Sequence, residues 1–147
     1  MKGSLEFTIA MLIRDINSKM NQKIMEELKT TGLTVPQITV IKLIAHHKEL
    51  TVTELSERMS VTKATMSGIL DRLENMDIIE RVRSEEDKRM VYVKFSAEGF
   101  KMALQIKEIM NNCFKNIFKG IEEERLEGIE KQLISLVGII EESLDKK

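Results

Sequence analysis

A change of hydrophobic period in the middle of the chain constrains the fold most. Apolar residues in the first half recur at steps of three and four, which is helical spacing. Val91, Val93 and Phe95 are instead spaced two apart, as in a half-buried strand. Residues 78–83 are the expected partner strand, and the charged residues 84–88 between the two runs are typical of a hairpin tip. The helical period then resumes, so the pattern predicts a mainly α fold with a small β-hairpin.

Six helices are predicted around this hairpin. The first helix is indicated by an apolar stripe over 5–28 that ends before Gly32. The capping boxes Thr34-Val35-Pro36-Gln37 and Thr51-Val52-Thr53-Glu54 mark the starts of the second and third helices, and the fourth starts near Thr62. The fifth and sixth are indicated by two long apolar stripes after Ser96, which are separated at Gly120. The inward residues expected of the second helix are Val40, Ile41, Ile44 and Ala45. The third and fourth helices are short, closely spaced and followed at once by the hairpin. That order of elements is typical of a winged helix-turn-helix.

Length and composition set the broad class of protein. The chain has 147 residues, of which 42% are hydrophobic and 32% charged, and this is room for one globular domain. A net charge of −1 excludes a strongly basic nucleic-acid coat. No apolar run approaches the roughly 18 residues of a membrane span, and the N-terminus shows no secretory apolar region. The single cysteine, Cys113, excludes an internal disulfide framework. We therefore expect a soluble, intracellular, single-domain protein.

The fourth helix has one apolar face and one face of small and polar residues. Its stripe of Met66, Ile69, Leu70 and Leu73 is expected to pack inward. The residues that then point directly away are Ala64, Gly68, Asp71 and Asn75, flanked by Thr65, Ser67 and Arg72. Small outward side chains at the helix start would let the backbone sit deep in a DNA major groove. Lys63 and the helix N-terminus both favour phosphate there.

Three motifs around the hairpin resemble those of the MarR family of bacterial transcriptional regulators. Residues 73–81 are similar to the family's Leu-Glu … Gly-Leu-Ile-x-Arg motif, except that Asp77 and Ile78 replace Gly-Leu. Asp87-Lys88-Arg89 matches the Asp-x-Arg motif of the wing, and residues 95–99 resemble the Leu-Thr-x-x-Gly motif that follows it. The resemblance covers nearly the whole chain, from Leu5 to Leu144.

The resemblance implies a single MarR-type domain over 1–147 that acts as a homodimer. A winged helix-turn-helix lobe over 33–96 would bind double-stranded DNA, and residues 5–30 and 97–145 would form the dimerisation helices. The apolar stripes agree, since they exceed what a small central lobe could cover. A two-fold dimer would present its recognition helices about 34–36 Å apart to a pseudo-palindromic operator. The implied function is a cytoplasmic, ligand-responsive bacterial regulator, expected to be a repressor and to associate with the nucleoid when bound to DNA.

The candidate DNA contacts lie on the fourth helix and at the wing tip. They are Lys63, Ala64, Thr65, Ser67, Gly68, Arg72, Lys88 and Arg89. Arg89 resembles the family arginine that enters the minor groove or contacts phosphate beside it, and Asp87 is expected to accept hydrogen bonds that orient a basic neighbour. Arg72 could reach a guanine edge, a phosphate or a wing carboxylate. Asp71 counts against easy DNA binding, unless Arg72 holds it or it accepts from a cytosine amino group.

Bulk charge does not favour DNA binding. Residues 58–94 contain eight basic and seven acidic side chains (Arg58, Lys63, Arg72, Arg81, Arg83, Lys88, Arg89 and Lys94 against Asp71, Glu74, Asp77, Glu80, Glu85, Glu86 and Asp87). Affinity must therefore come from the placement of charges, and we expect it to weaken steeply with salt. The near-neutral charge and the outward Asp71 keep a second function open, a winged-helix protein-interaction module without specific DNA binding.

No set of residues points to an enzyme, a metal centre or a bound cofactor. The sequence has two histidines and one cysteine, and it offers no glycine-rich phosphate loop and no nucleophile–base pair. His46 and His47 are adjacent, so they point about 100° apart on a helix, which favours a surface or helix-end role. Cys113 is expected to be a packed thiol. Ten methionines are typical of core filling, the alternative being an adaptable pocket for a small aromatic or phenolic effector, with no ligand residues assigned.

Overall fold

The computed structural model describes residues 3–146. Met1, Lys2 and Lys147 of the predicted domain 1–147 lie outside this range. Met1 and Lys2 also belong to the N-terminal segment in which no secretory signal is predicted. The described residues form, in chain order, α1 Leu5–Leu28, a 3₁₀ turn Lys29–Thr31, α2 Val35–His47, β1 Glu49–Thr51, α3 Val52–Arg58, α4 Lys63–Asn75, β2 Ile79–Arg83, β3 Val91–Phe95, α5 Ala97–Ile117 and α6 Glu123–Asp145. The chain divides into two compact units, one ending at Cys113 and one beginning at Phe114. The prediction of a mainly α fold with a small β element is confirmed.

Short-range capping bonds fix the starts of α2, α3 and α4. The Thr34 hydroxyl accepts from the Gln37 N–H at 3.4 Å, and the Gln37 side chain accepts from the Thr34 N–H at 2.9 Å. The second capping box has the same form, with Thr51 N–H to Glu54 Oε2 at 2.8 Å. Thr62 caps α4 by accepting from the Thr65 N–H at 3.1 Å. The predicted helix starts are therefore confirmed, and each bond satisfies a backbone donor that the helix leaves free.

The sheet has three antiparallel strands in the order β1-β3-β2. β2 and β3 form the predicted hairpin, with Arg81 opposite Val93. The expectation of a hairpin alone was wrong, because Glu49–Thr51 adds a third strand on the other edge of β3. Three residues carry too little periodicity to identify a strand, and their pairing partner lies some forty positions away. We use "wing" below for β2, β3 and the loop between them.

The core of the first unit lies between the helix-turn-helix and β3, the central strand of the sheet. Its fully buried side chains are Leu28, Val40, Ile41, Ile44, Leu55, Met66, Leu70, Leu73, Ile79 and Val93. Ile69, predicted to face inward with Met66 and Leu70, is half-buried. Ala45 was predicted to be buried and is exposed, whereas Ile38, which was not among the predicted inward residues, is buried. Ala45 lies in the last turn of α2 and carries one methyl group, so its exposure forgoes only about 0.8 kcal/mol of burial.

Asp77 ends α4 in a left-handed backbone conformation. Its φ is +57°, and the turn is closed by Asp77 N–H to Glu74 C=O and Ile78 N–H to Leu73 C=O, both 2.9 Å. This is the position at which the resembling motif has glycine. Since only glycine adopts this region without steric cost, the motif's glycine has a geometric reason. Aspartate is among the better-tolerated replacements.

Asp77 therefore provides a test of turn strain. Asp77→Gly should leave the free energy of unfolding unchanged or raise it by up to about 1 kcal/mol, whereas Asp77→Ala should lower it by about 1 kcal/mol. Urea denaturation of the two variants and the parent checks the difference. Equal stability of the glycine and alanine variants would contradict the strain argument.

The start of α5 sits directly on the backbone that leads into the wing. The Ser96 N–H donates to the Ile78 carbonyl at 3.1 Å, and the Ser96 hydroxyl donates to the Asp77 carbonyl at 2.5 Å while accepting from the Gly99 N–H at 2.9 Å. A Cβ on Gly99 would lie 1.6 Å from the Ile78 carbonyl oxygen. Glycine is thus required for this contact to form at all.

Several long helices keep apolar side chains on the surface. In α1 the exposed set is Leu5, Phe7, Ile9, Met11, Leu12, Ile13 and Ile16. In the second unit none of the described residues of α6 is buried, and its exposed apolar set is Ile129, Leu133, Ile134, Val137, Ile139, Ile140 and Leu144. Among the described residues, no helix has the length and hydropathy needed to cross a membrane. These faces leave a large apolar area in contact with water within one chain.

Candidate nucleic-acid interface

The N-terminal half of α4 presents its small and polar residues to solvent. Lys63, Ala64, Thr65 and Gly68 are exposed, and Ser67 is half-buried. Gly68 has no atom within 4 Å of the position where a Cβ would lie, so nothing inside the chain requires glycine there. Glycine in a helix interior costs roughly 0.5–1 kcal/mol relative to alanine. Packing within the chain therefore gives no reason for glycine rather than alanine at position 68.

A groove of 780 Å³ runs between the start of α3, the side of α4 and the wing. We call it the basic groove, because its lining includes the cations Lys63, Arg81, Arg83 and Arg89. The other lining residues are Thr51, Val52, Thr53, Glu54, Ser67, Met90 and Val91. Within this lining Glu54 is the one carboxylate, and the capping box of α3 already engages it. The lining therefore holds four cations and one carboxylate, although Arg81 and Arg89 are each paired with acids outside the lining.

The wing tip is held by hydrogen bonds within the loop. Asp87 Oδ1 accepts from the backbone N–H and from Nε of Arg89, both at 3.1 Å, and Oδ2 accepts from the second guanidinium nitrogen at 3.4 Å. The Arg83 guanidinium donates to the Lys88 carbonyl at 3.2 Å. Arg89 is 91% exposed, and Lys88 is also exposed. Asp87 thus fixes the direction of a guanidinium that remains open to solvent.

The same bonds shift the titration of the wing carboxylate. Side-chain hydrogen bonds from Arg89, followed by its backbone N–H, lower the pKa of Asp87 below its ordinary value. A lowered pKa means that the pair is intact above the ordinary range of a carboxyl group and is lost as the pH falls through the folded value. At neutral pH the Asp87–Arg89 pair is therefore present.

Asp71 and Arg72 do not pair with each other, which corrects one of the expected arrangements. Asp71 is instead bound by Arg81 of β2, whose Nε also donates to Glu74 Oε2 at 2.6 Å. Adjacent residues on a helix diverge by about 100°, whereas β2 passes beside the helix. Among the residues that the structure describes, Arg72 has no ion-pair partner, and its side chain is exposed. The sequence predicts no contact for Arg81, because its partners lie seven and ten positions away on α4 and meet it only when β2 passes beside that helix.

The histidines and the cysteine form no centre with other ligands. The rings of His46 and His47 contact each other edge to face, with centroids 4.6 Å apart. Cys113 is buried and unbonded to another cysteine. Within residues 3–146 no group of three or more histidine, cysteine, aspartate or glutamate side chains is placed to hold a metal ion. We assign no metal or redox site here.

Comparison with known proteins identifies the family. A MarR family profile matches residues 33–91. The transcriptional regulator HosA of Escherichia coli O111:H- is 34% identical over 95 residues, which are 63% of this chain and 70% of HosA. The HTH-type transcriptional regulator YsmB of Bacillus subtilis is 25% identical over 124 residues, 84% of this chain and 85% of YsmB.

Solved structures share the fold over almost the full length. A MarR family protein from Bacillus stearothermophilus superposes with a TM-score of 0.80 at 25% identity, covering 94% of this chain and 99% of that one. Wild-type apo MarR from E. coli gives a TM-score of 0.78 at 24% identity, covering 92% and 98%. The capped helix α4 and the wing are thus parts of a known fold, and the chain belongs to the MarR family of helix-turn-helix transcriptional regulators.

Proposed function

We propose that the protein is a homodimeric repressor that binds a pseudo-palindromic operator in bacterial cytoplasm and acts without catalysis. The observation that carries this proposal is the basic groove, which places Lys63 of α4 and the wing cations Arg83 and Arg89 on one side of the lobe. Phosphate contacts from such cations position a protein on DNA. Relatives support the direction of regulation, since YetL of B. subtilis, 34% identical over 99 residues, is named a transcriptional repressor.

The exposed face of α4 is the proposed reading surface. Ala64 and Gly68 would let the helix backbone approach the base edges, with Thr65, Ser67 and Arg72 as the polar contacts beside them. Lys63 lies in the first turn, where the helix N-terminus also attracts phosphate. At the wing, Arg89 would enter the minor groove or contact a neighbouring phosphate, with Lys88 beside it and Asp87 as the group that orients Arg89.

Gly68→Ala separates this role from stability. The alanine should raise the free energy of unfolding by about 0.5–1 kcal/mol, because it removes the conformational cost of glycine in open space. The same methyl group should weaken operator binding by about tenfold, because it overpacks the surface that meets the bases. Thermal denaturation and fluorescence anisotropy on the same preparation measure both effects. Unchanged operator affinity would remove Gly68 from the reading surface.

The exposed apolar faces support a homodimer. The first half of α1 and the length of α6 each expose more large apolar side chains than a monomer normally leaves in water. A second copy of the chain is the proposed cover, since such a face pairs with itself about a two-fold axis. Sedimentation equilibrium should give twice the chain mass at micromolar concentration. A monomer mass under these conditions would overturn the dimer and, with it, the palindromic operator.

An effector is proposed to act through the spacing of the two DNA-binding lobes in the dimer. A ligand shifts such an equilibrium only through different affinities for the competent and incompetent arrangements. A small aromatic or phenolic compound is the proposed class. Titration of such compounds into the protein–operator complex should lower the anisotropy, while a compound that binds without releasing DNA would argue against this mechanism.

The decisive experiment is binding to the DNA upstream of the protein's own gene. Fluorescence anisotropy compares this DNA with a scrambled sequence of equal length at two salt concentrations. We expect a preference of about 10³ or more for the upstream sequence and a steep loss of affinity with salt. Equal, weak binding to both sequences would instead favour a winged-helix protein-interaction module. Pairing of Asp71 with Arg81 weakens one of the features that favour that alternative.

A further inference from the structure

We infer that Arg81 is a positioning residue for DNA binding, which holds two carboxylates of the recognition helix against the wing and away from the phosphate backbone. The inference rests on the proposed DNA-binding function. It assigns a role to a residue outside the set of proposed DNA contacts, and it explains how a helix with an acidic side can face a polyanion.

The geometry is a fork between β2 and α4. Asp71 and Glu74 are three positions apart, so their side chains lie on the same side of the helix. Arg81 Nε donates to Glu74 Oε2 at 2.6 Å, and the Nη2 atom donates to Asp71 Oδ1. The Arg81 side chain is 26% exposed, against 59% for Asp71 and 45% for Glu74. The guanidinium therefore lies between β2 and α4, and both carboxylates are directed toward it.

The acids lie where they would oppose DNA if they were free. Lys63, Ser67 and Asp71 are spaced by four along α4 and so form one stripe, and the first two line the basic groove together with Arg81. A DNA backbone attracted by Lys63 would therefore also pass near Asp71, about 12 Å further along α4. Like charges brought together at an interface are strongly unfavourable. Engagement by Arg81 reduces this opposition without removing the side chains.

The chemistry requires arginine in particular. A guanidinium presents several donors in a fixed plane and can bind two carboxylates at once, whereas a lysine ammonium is a compact point charge. The hydrogen bonds that Arg81 donates to Asp71 and Glu74 also raise the pKa of Arg81 above its ordinary value, as expected for a cation between two anions. With Nε and Nη2 directed to two acids of α4, Arg81 has fewer donors left for phosphate than Arg83, whose guanidinium donates one bond, to the Lys88 carbonyl.

A rescue experiment distinguishes this role from a direct DNA contact. Arg81→Gln should weaken binding to the upstream DNA at least about tenfold, because two carboxylates are released. Adding Asp71→Asn and Glu74→Gln to this variant should restore affinity to within about threefold of the parent. Asp71→Asn with Glu74→Gln in the presence of Arg81 should bind at least as tightly as the parent. Arg81→Lys should fall between the parent and Arg81→Gln.

Each outcome decides the inference. A triple variant as weak as Arg81→Gln would mean that Arg81 contacts DNA itself, and weaker binding by Asp71→Asn with Glu74→Gln would mean that the acids serve DNA binding. Either result overturns the proposed positioning role of Arg81. Thermal melts and sedimentation show whether each variant is folded and dimeric. If Arg81→Gln unfolds, Arg81→Lys alone is compared with Arg81→Lys that also carries Asp71→Asn and Glu74→Gln. Failure of the parent protein to prefer the upstream DNA is a separate result, which would overturn the proposed function.

Discussion

Gly99→Ala is expected to lower the free energy of unfolding by about 3 kcal/mol or more. The new methyl group would lie 1.6 Å from the Ile78 carbonyl oxygen, a backbone atom that cannot rotate away. Relief requires α5 to move away from the backbone of Asp77 and Ile78, which stretches the hydrogen bonds that Ser96 donates to their carbonyls. Overpacking of this kind costs about 1–3 kcal/mol, and each lost hydrogen bond adds about 0.5–1.5 kcal/mol.

Urea denaturation and thermal melts measure this effect, and Gly68→Ala is the matched control. Both variants add one methyl group within a helix, but Gly68 has open space around it. We expect a melting temperature lower by about 10 °C for Gly99→Ala and an equal or higher one for the control. A Gly99→Ala variant as stable as the parent would show that α5 does not seat on Ile78 in this way.

Arg89→Ala should weaken operator binding by about 10-fold to 100-fold while leaving the dimer folded. The side chain is 91% exposed and bonded only to Asp87 and its own loop, so its loss removes little from the protein core. A well-placed arginine contact to DNA is worth about 1–3 kcal/mol, which gives the expected range. Anisotropy with the upstream DNA measures the affinity, and a melt and a sedimentation run show that fold and dimer persist.

Arg125→Ala is the charge-matched control for this variant. Arg125 is exposed in the first turn of α6, outside the helix-turn-helix and the wing. It changes the net charge by the same amount, so a general electrostatic effect would weaken both variants equally. Unchanged affinity of Arg89→Ala, or an equal loss in both variants, would exclude Arg89 as a specific contact.

The parts of the fold that were predictable from sequence are those fixed by short-range chemistry. Thr34 with Gln37 and Thr51 with Glu54 satisfy backbone donors three residues away, so the bonds can be recognised from spacing alone. The period change that predicts β2 and β3 is equally local. The buried stripe of α4 follows from helical geometry, and Met66, Leu70 and Leu73 are buried as expected.

The parts that were missed depend on contacts distant in sequence. β1 forms only because Leu50 meets Val93, and nothing within three residues of Leu50 specifies that pairing. The partner of Asp71 is ten positions away on a strand, so the adjacent Arg72 was the more obvious candidate. The glycine-like backbone of Asp77 is also invisible in its side chain, although the departure from the motif marked the position.

Thr51 belongs to two elements at once, as the last residue of β1, opposite Tyr92, and as the N-cap of α3. The hydrogen-bond network of the sheet therefore continues into the first helix of the helix-turn-helix without an intervening loop. A hinge between them would have to break strand pairing and helix capping together. Wing and α3 are thus expected to share one cooperative opening event. A change in the spacing of the two DNA-binding lobes would then have to arise outside this segment, with each lobe moving as a rigid body.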